Sequence, residues 1–142
     1  MKTTMLTPSL SRQAGGIFEA ERRLSQALHR LPDVEIEVVG LRDEKTTADL
    51  PDWAPLAPTV LPTWGPEAFG YSPDLVNTLL GTGADLLHLH ALWMYTTVAA
   101  LRWRRATQRP HMVSVHGMLD SWAVNNAEWK KQTVGWLYEH RS

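Results

Sequence analysis

Residues 84–101 read ADLLHLHALWMYTTVAAL. Asp85 to Leu89 is a short, mostly apolar run of strand length, with His90 at its end. Met94, Val98 and Leu101 then recur at helical spacing. A second run follows in HMVSVHG, residues 111–117, where Met112 to Val115 leads into His116 and Gly117. Strand, helix and strand in so short a span make a βαβ unit, whose two strands lie parallel.

The same alternation continues outward. Thr3 to Thr7 is a short strand ended by Pro8, and SLSRQAGG (residues 9–16) is a polar loop closed by two glycines. Ile17, Ala20, Leu24, Ala27, Leu28 and Leu31 recur at helical spacing up to Pro32. Glu19 and Glu21 lie early in that helix, and His29 and Arg30 late, as its macrodipole favours. Val34, Ile36, Val38 and Val39 make a second strand. Residues 40–72 are proline-rich and loop-like, carry Trp53, Trp64, Phe69 and Tyr71, and hold a brief edge strand at Thr59 to Leu61. A stretch that long points to a functional or partner-binding excursion. Asp74 to Leu80 is a helix begun after Pro73 and closed by Gly81. Arg102, Arg104, Arg105 and Arg109 crowd the end of the helix after His90, and a last helix runs from about Val124 to the chain end.

Strands alternating with helices imply a parallel sheet covered on both faces. The expected fold is therefore α/β, a doubly wound (Rossmann-like), mostly parallel sheet in the order 3-2-1-4-5. The run at 85–90 is strand four and that at 111–115 strand five. The topological switch then lies between strands one and four, and ligands of such sheets bind outside the carboxyl ends of the strands there.

The composition narrows the function classes. The chain has 142 residues, 44% hydrophobic and 20% charged, enough to bury the core of one domain. Its net charge is −1 and no basic stripe runs along one face, which argues against nucleic acid as a partner. It has no cysteine, so disulfide scaffolding and thiolate chemistry are excluded. The N-terminus, MKTTMLTPSLS, lacks the apolar core of a signal peptide, and ALWMYTTVAAL is about half a membrane span. These features suit a cytoplasmic chain.

Three features fall on the carboxyl edge of the sheet. Gly15 and Gly16 open a helix, where unpaired N–H groups and the dipole favour an anion and missing Cβ atoms admit a phosphate or sugar. The same glycines also suit a tight turn that needs positive φ. The loop is neither a GxGxxG fingerprint nor a P-loop. His88 and His90 share one face of strand four, with Leu87 and Leu89 on the other. Their HxH spacing could chelate a metal, with His116 as the one further ligand in view. The plainer reading makes His88 a hydrogen-bonded core residue and lets only His90 reach the crevice. His116 at the end of strand five can accept a hydroxyl proton or hold a hydroxyl by hydrogen bond. Its alternative role is to cap a turn. On the last helix Trp129 and Trp136 lie seven apart beside Lys130 and Lys131. That face suits peripheral membrane contact, docking of a second domain or, most simply, broad packing.

Taken together, TPSLSRQAGGI (7–17), ADLLHLHALW (84–93) and VSVHGMLDSWAVNNAEWKKQ (113–132) resemble the N-terminal domain of group 1, or family 4, glycosyltransferases of GT-B architecture. HGMLDSWA followed by WKK carries the resemblance best, and it extends over the whole chain. The resemblance implies a hexosyltransferase-type enzyme of glycan biosynthesis. It would move a sugar from a nucleotide-sugar donor to a hydroxyl acceptor, saccharide or lipid-linked, with retention and without metal or other cofactor. It implies His116 as the residue beside the reacting sugar, with Gly15, Gly16, His90 and Gly117 as substrate-binding. Ala91 stands where relatives often have glycine, and Val115 where they often have proline. The implied protein has a C-terminal donor-binding domain. Residues 1–142 are therefore expected to be an incomplete N-terminal half, inactive alone, in the cytoplasm or peripheral at the inner membrane face. Two other readings stay open: a metal-dependent hydrolase using His88, His90 and His116, and a non-catalytic binding module.

Overall fold

Residues 2–7, KTTMLT, combine β-branched and unbranched apolar side chains and lie buried from Thr3 onward, as expected of a strand covered on both faces. In the computed structural model, which describes residues 1–118, this strand β1 (Lys2–Thr7) is central. The elements that follow are α1 (Gly16–His29), β2 (Glu35–Leu41), a short α2 (Thr46–Asp49), β3 (Thr59–Leu61), α3 (Leu75–Gly81), β4 (Leu86–His90), α4 (Tyr95–Thr107) and β5 (His111–Ser114). The strands form one sheet in the order β3-β2-β1-β4-β5, and every pairing is parallel. Order and direction are those expected. The fold is an α/β, Rossmann-like sheet with helices, of the kind that forms one half of a GT-B enzyme. The last helix expected from about Val124, with Trp129 and Trp136, lies outside the described residues. Among the described residues no helix is long and apolar enough to cross a membrane.

Strand alternation divides the core into two layers. Met5 and Val38 pack with Phe18, Ile36 and Trp53 on one face, while Leu6 and Val39 join Leu87, Leu89, Leu79, Val98 and Trp103 on the other. Since Leu87 and Leu89 face α3 and α4, alternation turns His88 and His90 to the opposite face. Each fully buried aliphatic or aromatic side chain here contributes about 1.5–3 kcal/mol by removal from water.

Two features of the helical layers differ from the sequence reading. On α1 the buried residues are Phe18, Glu21 and Ser25, whereas Leu24 and Leu31 are exposed, with Ala20 and Ala27. The helix lies where the spacing puts it, but its inner face is turned by roughly a quarter turn. The cause is Phe18, which meets Trp53 edge-on at 5.9 Å and fixes the rotation. On α4 Val98 is core as expected, but Met94 precedes the helix and Leu101 is half-buried, while Tyr95, Ala99 and Trp103 bury the helix face. The proline-rich excursion is also more ordered than a loop. α2 and a 3₁₀ turn at Leu50–Trp53 occupy its first part, and Trp53 is fully buried with its indole N–H donating to the Leu10 carbonyl at 3.0 Å.

Candidate functional site

The loop after β1 is pinned from below and from the side. Gly40 of β2 has no side chain, and Leu10 fills that space; a Cβ there would lie 2.5 Å from Leu10 Cγ. Ser9 Oγ and Ser11 Oγ both donate to the carboxylate of Asp43, just beyond β2, the latter at 2.8 Å. Thr46 Oγ1 and the Lys45 N–H add bonds of 3.0 and 2.9 Å to the same carboxylate. Partial burial pushes the Asp43 carboxyl up, but these four donors outweigh it and hold its pKa below the usual range. Next along the loop, the Arg12 guanidinium grips the fully buried carboxylate of Asp49 with Nε at 2.9 and 3.0 Å, and the Arg12 N–H donates to it at 2.8 Å. The side-chain hydrogen bonds from Arg12, then its N–H, hold Asp49 down to about 2.

On this anchored loop stand Gly15 and Gly16, both exposed. Gly15 caps α1 with φ +59°, so the turn itself demands glycine there. Gly16 has no positive φ, and a Cβ on it would meet nothing within 4 Å. Neither backbone strain nor packing requires the second glycine. The N-terminus of α1 has no side-chain cap.

Across the switch, the ends of β4 and β5 carry the imidazoles. His88 is buried and its Nε2 lies 2.7 Å from Ser114 Oγ, so it is the hydrogen-bonded core histidine expected. Burial, and then the charge of His116, push its pKa down. His90, expected to reach the crevice, is 1% exposed and touches it only through His116. His90 Nδ1 lies 2.9 Å from His116 Nε2. The centre of the His90 ring lies 4.2 Å from that of His88 and 5.2 Å from that of His116, which it meets edge to edge through the nitrogen contact. Burial drives His90 down to about 3, with repulsion from His88 and His116 adding to it. His116 itself is exposed, at φ +46°, and Gly117 follows at φ +77°. Ala91 and Trp93 also have positive φ, at 75° and 66°. Among the described residues, three of the four non-glycine residues with left-handed backbone thus lie at the carboxyl ends of β4 and β5. At Ala91, where the resemblance led to an expectation of glycine, φ is 75°, a conformation that glycine adopts without strain.

A cavity of about 250 Å³ opens between these two halves. Ser9, Gln13 and Ile17 wall it from the β1 side, Arg42, Asp43 and Glu67 from the β2 side, and Ala91, Met94 and Met118 from the β4 and β5 side. Met118 is tied in by the Leu92 N–H, 3.2 Å from its sulfur. The glycine loop and both histidine strand ends therefore border one crevice. Gly15, Gly16, His90, His116 and Gly117 do not line it, though each lies within two residues of Ala14, Ile17, Ala91 or Met118, which do. Sequence reasoning missed Asp43, Arg12 with Asp49, and Met118. Asp43 carried a signal, being an acidic residue just past the carboxyl end of strand two at the binding edge. Arg12 and Asp49 carried none, since they meet only through the fold.

The hydrolase reading needs three donors converging on one point. His88 instead bonds Ser114, and His90 bonds His116 nitrogen to nitrogen. Among the described residues no group of three His, Cys, Asp or Glu side chains is placed to hold a metal ion. A search of curated proteins finds no match. A family model described as the glycosyl transferase 4-like domain matches residues 15–142. Because that match runs from the glycine that caps α1 through both histidine strand ends, over most of the sequence, the chain belongs to the glycosyl transferase 4-like domain family.

Proposed function

We propose that this domain is the acceptor-side half of a nucleotide-sugar-dependent, hexosyltransferase-type enzyme of glycan biosynthesis, working in the cytoplasm or at the inner membrane face. It would pass a sugar to a hydroxyl acceptor with retention. Gly15 and Gly16 admit a sugar or phosphate to the N-terminus of α1. His116 holds a reacting hydroxyl, Gly117 keeps its approach open, and His90 stands behind His116. No metal or further cofactor takes part in this reading. The donor is held mainly by a second Rossmann-like domain, so residues 1–142 alone are inactive. Positioning of donor and acceptor in one cleft supplies much of the rate in such a reaction. The observation that supports the reading is that Gly16, exposed and free of any backbone or packing need, sits between Ala14 and Ile17 of the crevice wall, while the exposed His116 stands two residues before Met118 of the same wall.

The test is a comparison of two variants in an enzyme holding both halves. His116→Ala should lower turnover by about two to four orders of magnitude, the range for a positioned hydrogen-bonding or acid–base group, and leave the folded fraction nearly unchanged. His88→Ala should do the reverse. It leaves a cavity and orphans the Ser114 hydroxyl, at a cost of about 2–4 kcal/mol, while the molecules still folded keep most of their rate. Equal effects of the two on rate and stability would overturn the site assignment. Sugar transfer by residues 1–142 alone would overturn the division of labour.

A further inference from the structure

His90 is the most fully buried of the three imidazoles, and its hydrogen bonds are incomplete. Its Nδ1 meets His116 Nε2 at 2.9 Å, and its Nε2 is buried with no partner among the described residues. A neutral imidazole has one N–H and one bare nitrogen. Placing the proton on Nε2 would bury an unmatched N–H, and orphaned buried N–H groups are the rarer defect. The hydrogen-bond network therefore assigns the proton to Nδ1, which points at His116. His116 Nε2 must then be the bare acceptor. The remaining proton of a neutral His116 sits on Nδ1, the nitrogen not used by His90.

We infer that His90 is a positioning residue: by donating its Nδ1–H to His116 Nε2 it locks His116 as the Nδ1–H tautomer, so that the exposed ring offers the crevice a hydrogen-bond donor and not a base. The partner of that donor, an oxygen of the sugar substrate, rests on the transferase reading above; the tautomer does not. The burial of His90 supports the assignment, because an imidazole kept neutral cannot donate from both nitrogens.

The experiment is ¹⁵N spectroscopy of the histidine rings in the 142-residue chain near pH 7.5, with His116 identified by its loss in His116→Ala. The expected spectrum shows His116 protonated at Nδ1. His90→Asn, whose amide N–H reaches the place of Nδ1, should keep that pattern. His90→Leu should shift His116 toward the Nε2–H form that free histidine prefers. An Nε2–H pattern in the unmodified chain overturns the inference, and so does an unchanged pattern in His90→Leu. The unmodified chain decides the matter even where His90→Leu does not fold. In an enzyme holding both halves, His90→Leu should lower kcat by about tenfold or more with little change in KM, and His90→Asn should restore it. An Nδ1–H pattern without any sugar transfer would leave the inference standing and sink the transferase reading.

Discussion

Glu21 is a carboxyl group in the wrong place for an ionised one. It lies on the inner face of α1, is fully buried, and neither of its oxygens has a hydrogen-bond partner. The nearby Thr7 hydroxyl pulls its pKa down, and that hydroxyl also donates to the Ser9 carbonyl at 2.9 Å. Burial dominates and raises the carboxyl from 4.5 to about 8. Between those values the folded chain keeps a proton that the unfolded chain has released, so stability falls as pH rises. The slope is about 1.4 kcal/mol per pH unit, which gives a cost of about 3 kcal/mol at pH 7 and about 5 kcal/mol beyond pH 8. That is a large part of the stability of a small domain. Glu21→Gln keeps the shape and removes the proton. Urea unfolding of both proteins from pH 5 to 8.5 should show the parent losing ground to the variant by several kcal/mol across that range. Parallel curves would refute the reasoning, for they would mean that Glu21 is solvated or paired in the folded chain.

Gly40→Ala should destabilise the chain by about 1–3 kcal/mol in the same urea assay, since the new methyl would sit 2.5 Å from Leu10 Cγ and 2.6 Å from Thr7 Cγ2. Gly16→Ala should leave stability within about 0.5 kcal/mol, having neither strain nor a clash, and yet lower sugar transfer by about ten- to a hundredfold in an enzyme holding both halves. Ala91→Gly should raise the melting temperature modestly. Release of left-handed strain at φ +75°, worth about 1–2 kcal/mol, exceeds the added chain entropy of about 0.5–1 kcal/mol. A lower melting temperature would show that the buried methyl matters more.

The sheet was legible because parallel strands buried on both faces leave short apolar runs, while Pro8 and Gly117 follow strands and Pro32 and Gly81 mark the ends of the helices between them. Even the three-residue β3 was visible, as Thr59–Leu61 between prolines. The inner face of α1 was not, because apolar spacing assumes that a helix buries its apolar side. This one buries Glu21 and Ser25 over the threonines of β1, and its rotation is set by a contact with Trp53, which is distant in sequence. His88 could be placed, since a histidine amid apolar strand neighbours has to find a partner. The burial of His90 could not, because it depends on His116 folding back over it from the next strand.

Most of the left-handed backbone departures share a location. Ala91, Trp93 and His116 hold left-handed backbone at the ends of β4 and β5, His90 buries an unpaired nitrogen among them, and Glu21 buries an unpaired carboxyl beneath the loop of the other wall. A domain selected for stability alone would relieve each of them by glycine, by an apolar residue or by a partner. Strained backbone gathered at one sheet edge is what a binding site leaves when it sets geometry against stability. Among the described residues, the remaining non-glycine residue with left-handed backbone is Gln108, which merely ends α4, where that conformation is the ordinary way to close a helix.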